Sequence, residues 1–418
     1  MATFWFTSAP LPGHLDWGGA LKTAQALQAR GHAVTWISEA RTGPLVERAG
    51  VPFEAVAHTG WNWPPPPLDP RVGRLPGVDA VALRYRRALD TWLNEAAIAP
   101  AVADLRDLAE RVGSPDVWVT DPFLSAAALA AEAIGVPLVV AGWPAGTPLD
   151  EDQMHAFQRD LGHEALARIE RLATEVRVRG EYFAGLPAPS VLSPHLHLSY
   201  FSPYWHQGEL FLPQTAFVGG TVTPPQGDPP GWLADIPAGQ PLGLVTLGSV
   251  FTDDWAFYGA GAQALARNGI LPLVVIGTNP VTPEQKAALK AQLPGGTRLL
   301  NWIDFDHVFP RLGVILHHGG MGTTHAAILH ALPQIIQPHA ADQRGQARRA
   351  RQAKVGLEMS ADDVRRGELS AAVKAITTTP LVLHSVEALA GSFADLGGPA
   401  EAARQLEALA RGETAARS

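Results

Sequence analysis

Val314–Gln343, VILHHGGMGTTHAAILHALPQIIQPHAADQ, is the stretch that decides the fold. Val314-Ile315-Leu316-His317 reads as a short buried strand, and Ala326, Leu329 and Ala331 follow at helical positions. Between them lies Gly319-Gly320-Met321-Gly322-Thr323-Thr324. Glycines at a strand-to-helix turn let the backbone bend sharply and approach a ligand, while the first N–H groups of the helix point at whatever sits there. Such a terminus favours an anion, most naturally a phosphate. His318 adds a side-chain donor at the rim of that pocket, so imidazole, backbone amides and the Thr323 hydroxyl can hold a diphosphate together without a metal. Gln334–Gln337 is a second strand-like run, and Asp342-Gln343 after it falls at the carboxyl edge of the sheet, where open α/β folds bind ligands. A carboxylate and an amide there suit paired sugar hydroxyls. A glycine-rich turn alone is often a plain tight connection, and the combination of HHGG, GTT and the later DQ is what points to a ligand.

The same stretch resembles the nucleotide-sugar donor motif of family 1 glycosyltransferases of the GT-B fold, nearest the bacterial and sterol-glucosyltransferase branch. The resemblance implies an α/β protein of two Rossmann-like, doubly wound domains facing each other across a cleft. It places His318 on the diphosphate, Gly320, Gly322 and Thr323 around it, and Asp342 and Gln343 on the sugar. It also implies a nucleoside diphosphate sugar, UDP-glucose first, as co-substrate, with no metal and no further cofactor. Plant members hold the ribose with a Glu three residues after the Ser/Thr; Ala326 stands there in this chain, as is usual in the bacterial branch.

Composition bounds the rest. A chain of 418 residues with 46% hydrophobic content suits two to three domains with sizeable cores. A net charge of −8 without a dominant Lys/Arg run argues against nucleic acid as a partner. With 0 Cys, disulfides, cysteine-ligated zinc and thiol nucleophiles are excluded, which fits a reducing cytoplasm. The N-terminus has no basic leader, and the longest apolar stretch, Ala126–Trp143, is interrupted by Glu132 and Pro137, so neither a signal peptide nor a membrane span is expected. Arg344, Arg348, Arg349, Arg351 and Lys354 read as a solvated helix face, with peripheral contact at the inner membrane surface as the alternative.

In chain order, Thr3–Phe6, the loop Ala9–Gly13, the helix Leu21–Arg30 and Ala33–Ile37 form a βαβ unit. His14 stands in its first loop, and imidazole is the side chain best suited to exchange a proton near neutral pH. On the residues alone, an ordinary loop histidine is the simpler reading. The resemblance of PLPGH and LQARGHAVTWIS to the family's N-terminal pattern implies the catalytic base, with Asp16 a weaker rival. Val117–Thr120 is another strand and ends at Asp121, on the same sheet edge, where a carboxylate can orient the imidazole or merely cap the next helix. The family has an Asp here, which implies the orienting role. Trp61-Asn62-Trp63 and the four prolines after them read as a wall of an acceptor pocket, a ligand for another domain, or an extended surface loop. His195 and His197 alternate along a strand and lack a third metal ligand, so both read as partly buried strand residues.

Residues 1–205 are therefore expected as an acceptor-binding domain, 206–241 as a Pro/Gly-rich linker, 242–380 as a donor-binding domain and 381–418 as terminal helices, the last returning to the first domain. Gly248-Ser249, directly after the strand beginning at Leu242, can offer amides and a hydroxyl to the diphosphate. The resemblance gives Trp302 the stacking of the nucleotide base. Asp304-Phe305-Asp306 spells a weak metal motif, and Asp306 is better placed to cap the short helix about Asp306–Pro310. The function expected is inverting, metal-independent transfer of a hexose to a small lipophilic acceptor. A nucleotide-sugar epimerase and a non-catalytic sugar-nucleotide binder are the alternatives.

Overall fold

The structure is a computed structural model that describes residues 1–62, 77–186, 190–248, 254–277, 281–339 and 342–413. The chain divides into two compact units: Met1–Tyr200 with Glu209–Phe217 and Pro399–Ser418, and Phe201–Gly208 with Val218–Gly398. Among the described residues, no helix is long and apolar enough to cross a membrane.

The strands of the first unit are β1 (Thr3–Thr7), β2 (Ala33–Glu39), β3 (Phe53–Val56), β4 (Val117–Thr120), β5 (Leu138–Ala141), β6 (Leu196–Ser199) and β7 (Thr215–Phe217). They form one sheet in the order β3-β2-β1-β4-β5-β6-β7, every neighbouring pair parallel. Parallel neighbours require crossover connections that cover the sheet faces with helices, and strands buried on both faces then read as continuous apolar runs. VWVT of β4 and LVVA of β5 are such runs, buried at every position. The helix Ser125–Ile134, SAAALAAEAI, follows β4 and is buried from Ser125 to Ala131, its small side chains allowing close approach to the sheet. Chain order reverses direction between β1 and β4, so the loops leaving those two strands open the crevice where doubly wound sheets bind ligands.

The second unit repeats the plan with β8 (Leu242–Thr246), β9 (Leu271–Val275), β10 (Arg298–Leu300), β11 (Leu312–His317), β12 (Gln334–Ile336) and β13 (Gly356–Glu358). Its order is β10-β9-β8-β11-β12-β13, again parallel throughout. Here the reversal lies between β8 and β11. The loop after β11 is the glycine turn quoted first.

The stretch 206–241 is not a simple linker. Thr215–Phe217 adds β7 to the first sheet through His197↔Thr215 pairing, while Val218 onward belongs to the second unit. A three-residue, half-buried edge strand between prolines carries no periodicity that a sequence reading can detect. Phe201–Gly208 likewise belongs to the second unit, where Trp205 Nε1–H donates to Gln346 Oε1 at 2.8 Å.

Pro399–Ser418, by contrast, belongs to the first unit. Glu407, on the helix Gly398–Ala410, accepts from Arg30 Nε and Nη2 at 2.6 Å each and from His32 Nε2 at 2.8 Å. Ala2 N–H donates to His32 Nδ1 at 3.1 Å, which leaves the His32 proton on Nε2, facing the carboxylate. The Arg30 guanidinium, and His32 after it, hold the Glu407 carboxyl down to about 2. An acid depressed by folding stabilises the fold above its unfolded pKa of about 4.3 and loses that contribution as pH falls toward the folded value. Arg30 is half exposed, so solvent screens part of the gain. Glu407→Gln is expected to cost about 1 kcal/mol at pH 7, with the deficit shrinking below pH 4; coincident urea midpoints at pH 7 would refute the clamp.

Candidate active site

At the first crevice, the short 3-10 turn Pro12–His14 follows β1, and Asp121 follows β4. Asp121 N–H donates to Thr7 O at 3.2 Å, tying the β4 end to β1. His14 Nδ1 then meets Asp121 Oδ2 at 2.8 Å, across 107 residues of sequence. The His14 side chain is 22% exposed and that of Asp121 only 1%. Asp121 is fully engaged: Trp17 Nε1–H donates to Oδ2 at 3.0 Å, and Phe123 N–H donates to Oδ1 at 2.8 Å. An ionised carboxylate only accepts, so Nδ1 carries a proton, and in the neutral ring Nε2 keeps its lone pair. Asp16, the rival base, has Oδ1 on the Leu21 amide at the start of the helix Ala20–Ala29.

Aromatic rings surround this pair. Trp17 and Trp61 lie 4.8 and 5.0 Å from the His14 ring, Phe123 lies 6.0 Å from Trp17, and Trp92 stacks on Phe123 at 4.8 Å. Trp143 joins them 6.1 Å from Phe123. Trp61 and Asn62 are the described part of the Trp/Pro segment; Trp63 and Pro64–Pro67 lie outside the described residues. The sequence reading missed Trp17 and Trp92, and the chemistry of neither is visible without its neighbours. His197, read as partly buried, is fully buried: Ser193 N–H donates to its Nε2 at 3.0 Å, so its Nδ1–H donates to Trp143 O at 3.0 Å and pins the loop carrying that ring.

At the second crevice, β11 leads through His318-Gly319-Gly320 into the helix Met321–Leu329. The N-cap is Gly320, and among the described residues no side chain caps the helix, so its first-turn amides remain available to an anion. Gly319 has φ +89, and a Cβ there would come within 2.9 Å of Ile336 Cγ2 and 3.0 Å of Gln343 O. Gly322 is exposed, and a Cβ there meets nothing within 4 Å, which puts it on the open side of the turn. Thr323, next to it, is 8% exposed.

His318 differs from its expected place at the rim. It is 7% exposed, its ring held between Gly248 and Gly320, where a Cβ on either would come within 2.7 Å and 2.5 Å of it. Gly248, expected to offer its amide to the diphosphate, makes room for that ring just after β8, with φ of +72. Among the described residues, His318 Nδ1 is buried without a hydrogen-bond partner, which leaves it open to a ligand. His317, one residue back, is structural. Gly319 N–H donates to its Nδ1 at 3.2 Å and its Nε2–H donates to Gln334 Oε1 at 3.0 Å.

The remaining expected donor-site residues are distributed as follows. Trp302 follows β10 and is 66% exposed, a free aromatic face at the carboxyl edge. Asp342 starts the helix Gln343–Gln352. Gln343 is turned inward, 3% exposed, with Oε1 accepting from His339 N–H at 2.8 Å. Ser249 lies outside the described residues. The short helix Phe305–Val308 is capped by Asp304, which accepts from Asp306 N–H at 3.0 Å and pairs with His307 Nδ1 at 2.9 Å. Asp306 is not the cap, because the helix begins one residue earlier than its apolar pattern suggests.

Comparison with known proteins agrees with this arrangement. Residues 274–409 match the family described as "Erythromycin biosynthesis protein CIII-like, C-terminal domain". The chain is 24% identical to 4'-demethylrebeccamycin synthase of Lentzea aerocolonigenes over 404 residues, 89% of this chain and 91% of that protein. It is 25% identical to demethyllactenocin mycarosyltransferase of Streptomyces fradiae over 430 residues, 98% and 87% of the two. Among solved structures, the glycotransferase of kitacinnamycin superposes with a TM-score of 0.74 at 21% identity, covering 97% of this chain and 98% of that one. The chain has the GT-B fold, two Rossmann-like domains each built on a parallel sheet, and over most of its length it is similar to glycosyltransferases.

Both crevices contain histidines that folding keeps neutral. Burial pushes His197 and His317 down to about 4 and His318 down to about 3, the last helped by His317 and His339. The unfolded chain binds these protons near pH 6.5, so the stabilisation is complete above that pH and is lost as pH falls toward the folded values. Carboxylates titrate mostly below this range. Stability is therefore expected to drop from pH 7 to pH 5 by up to about 2 kcal/mol per ring. Equal guanidinium unfolding midpoints at the two pH values would contradict it.

Proposed function

We propose that this enzyme is an inverting, metal-independent transferase that moves a hexose from a nucleoside diphosphate to a hydroxyl of a small, lipophilic secondary metabolite. The observation that carries the reading is the 2.8 Å contact between His14 Nδ1 and the buried Asp121 Oδ2. It directs the lone pair of Nε2 outward as a general base, the base-plus-orienter arrangement of a dyad.

In this reading His14 Nε2 takes the acceptor hydroxyl proton as that oxygen attacks the anomeric carbon. The bond from carbon to the diphosphate oxygen breaks, and its electron pair leaves with the diphosphate. One displacement from the face opposite the leaving group inverts the anomeric centre. The departing charge is received by the uncapped amides of the helix Met321–Leu329, with Gly322 and Thr323 beside them, and by His318. Burial keeps His318 neutral before a ligand arrives, so it meets the diphosphate first through a hydrogen bond. Trp302 offers its exposed face to the base. Ser249 and Asp342 keep the diphosphate and sugar contacts that the family resemblance implies.

UDP-glucose is the first donor to try. A second reading is favoured by Gln343, which is turned inward and 3% exposed, so that less of its amide reaches a sugar hydroxyl. A deoxyhexose donor needs fewer such contacts, and one relative is named as a mycarosyltransferase. The aromatic surroundings of His14 suit a flat, apolar acceptor. A panel of UDP- and TDP-sugars against lipophilic phenols and alcohols, read by mass spectrometry with a chelator present, distinguishes these readings; free sugar and nucleotide with no acceptor product would instead support an epimerase-like reaction.

His14→Ala is expected to lower turnover by about a hundredfold or more with donor binding kept, and undiminished turnover would remove His14 from the mechanism. His318→Ala is expected to weaken nucleoside diphosphate binding about tenfold; calorimetry giving equal affinity would overturn that assignment.

A further inference from the structure

Trp17 holds its position against its own backbone preference. Its φ of 47 lies in the left-handed region that bulky L-residues avoid. The loop after β5 makes room for it with Gly142, at φ +94, where a Cβ would stand 2.3 Å from Trp17 Cβ and 2.7 Å from its Cγ. The result is an indole N–H aimed at Asp121 Oδ2 from 3.0 Å, the same oxygen that His14 Nδ1 meets at 2.8 Å. The Trp17 ring also stands edge-on to the imidazole, at 80° and 4.8 Å between centroids.

We propose that Trp17 is a positioning residue that sets the strength of the His14 base by sharing Asp121 Oδ2 with it. Two N–H groups on one carboxylate oxygen divide its negative charge, and each fixes the direction of the other. The carboxylate therefore orients the imidazole while attracting its second proton less than an undivided carboxylate would. The inference rests on the reading of His14 as the base. Other charged groups near this loop are committed elsewhere. Asp16, on the same loop, caps Leu21, and Glu39, at the end of β2, accepts from Thr59 and Arg41. The segment after β3 and the loop after β5 bring Trp61 and Trp143, which do not titrate.

The test is Trp17→Phe, which keeps an aromatic ring and removes the donor. The pH profile of kcat/KM is expected to move its acid limb upward by about half a unit or more, with the KM for the donor sugar unchanged. An acid limb that coincides with that of the unsubstituted enzyme overturns the proposal. His14→Asn is measured beside it: loss of the limb together with most of the turnover leaves the base reading standing, whereas full turnover removes that reading and this proposal with it. A second measurement does not depend on the fold of the Phe variant. In the unsubstituted protein labelled at its indole nitrogens, one N–H is expected to exchange slowly with solvent and to shift on Asp121→Asn, and the absence of such a resonance overturns the proposal.

Discussion

A carboxylate removed from water is tolerated only when its oxygens are met by donors, and at Asp121 this chain meets that demand. His14 and Trp17 donate to one oxygen and the Phe123 amide to the other, while the Asp121 amide is tied to Thr7 at the end of β1. Each of these groups comes from the carboxyl end of β1 or β4, and the sheet order alone makes those two strands neighbours. The first unit's chemistry thus depends on one parallel pairing and on the reversal of chain direction beside it. Without β1 against β4, the imidazole would have no orienting group and the carboxylate would be buried without compensation.

The second unit solves a different problem with glycine. A backbone that is to present its own amides to an anion must come close to the ligand and keep side chains out of the way. Gly319 takes a positive φ where any Cβ would strike Ile336 or Gln343, and Gly320 begins the helix without a side-chain cap. Gly248 and Gly320 leave room for the His318 ring, so that a neutral, desolvated imidazole lies beside the open amides. Beneath it, His317 locks the turn through Gly319 and Gln334. Two adjacent histidines thereby have separate tasks, one holding the backbone and the other bearing a buried nitrogen that no described residue partners.

Much of this was legible in the residues because the controlling signals are local. VWVT and VILH are apolar runs closed by turn residues, which is how strands buried on both faces are written. HHGGMGTT lies between a strand and a helix, so its anion-binding character follows from backbone geometry and needs no distant partner. The edge strands β7 and β13 left no such trace, since each has only three residues, all half-buried in β7 and two of them exposed in β13. The Asp304 cap was misplaced for a related reason: helix ends are set by hydrogen bonds that an apolar pattern does not record.

Local order along the chain, then, was enough to establish an α/β chain with a glycine-lined anion turn and a histidine after its first strand, because each follows from neighbouring residues and backbone sterics. Folding in three dimensions selected what those residues face. It matched His14 with Asp121 across 107 positions, brought Trp17 to the same oxygen against a Gly142 far along the chain, and withdrew His318 from the rim into the fold. Such pairings depend on which strands lie side by side and on how much space their loops leave, and neither quantity is encoded in any short stretch of residues.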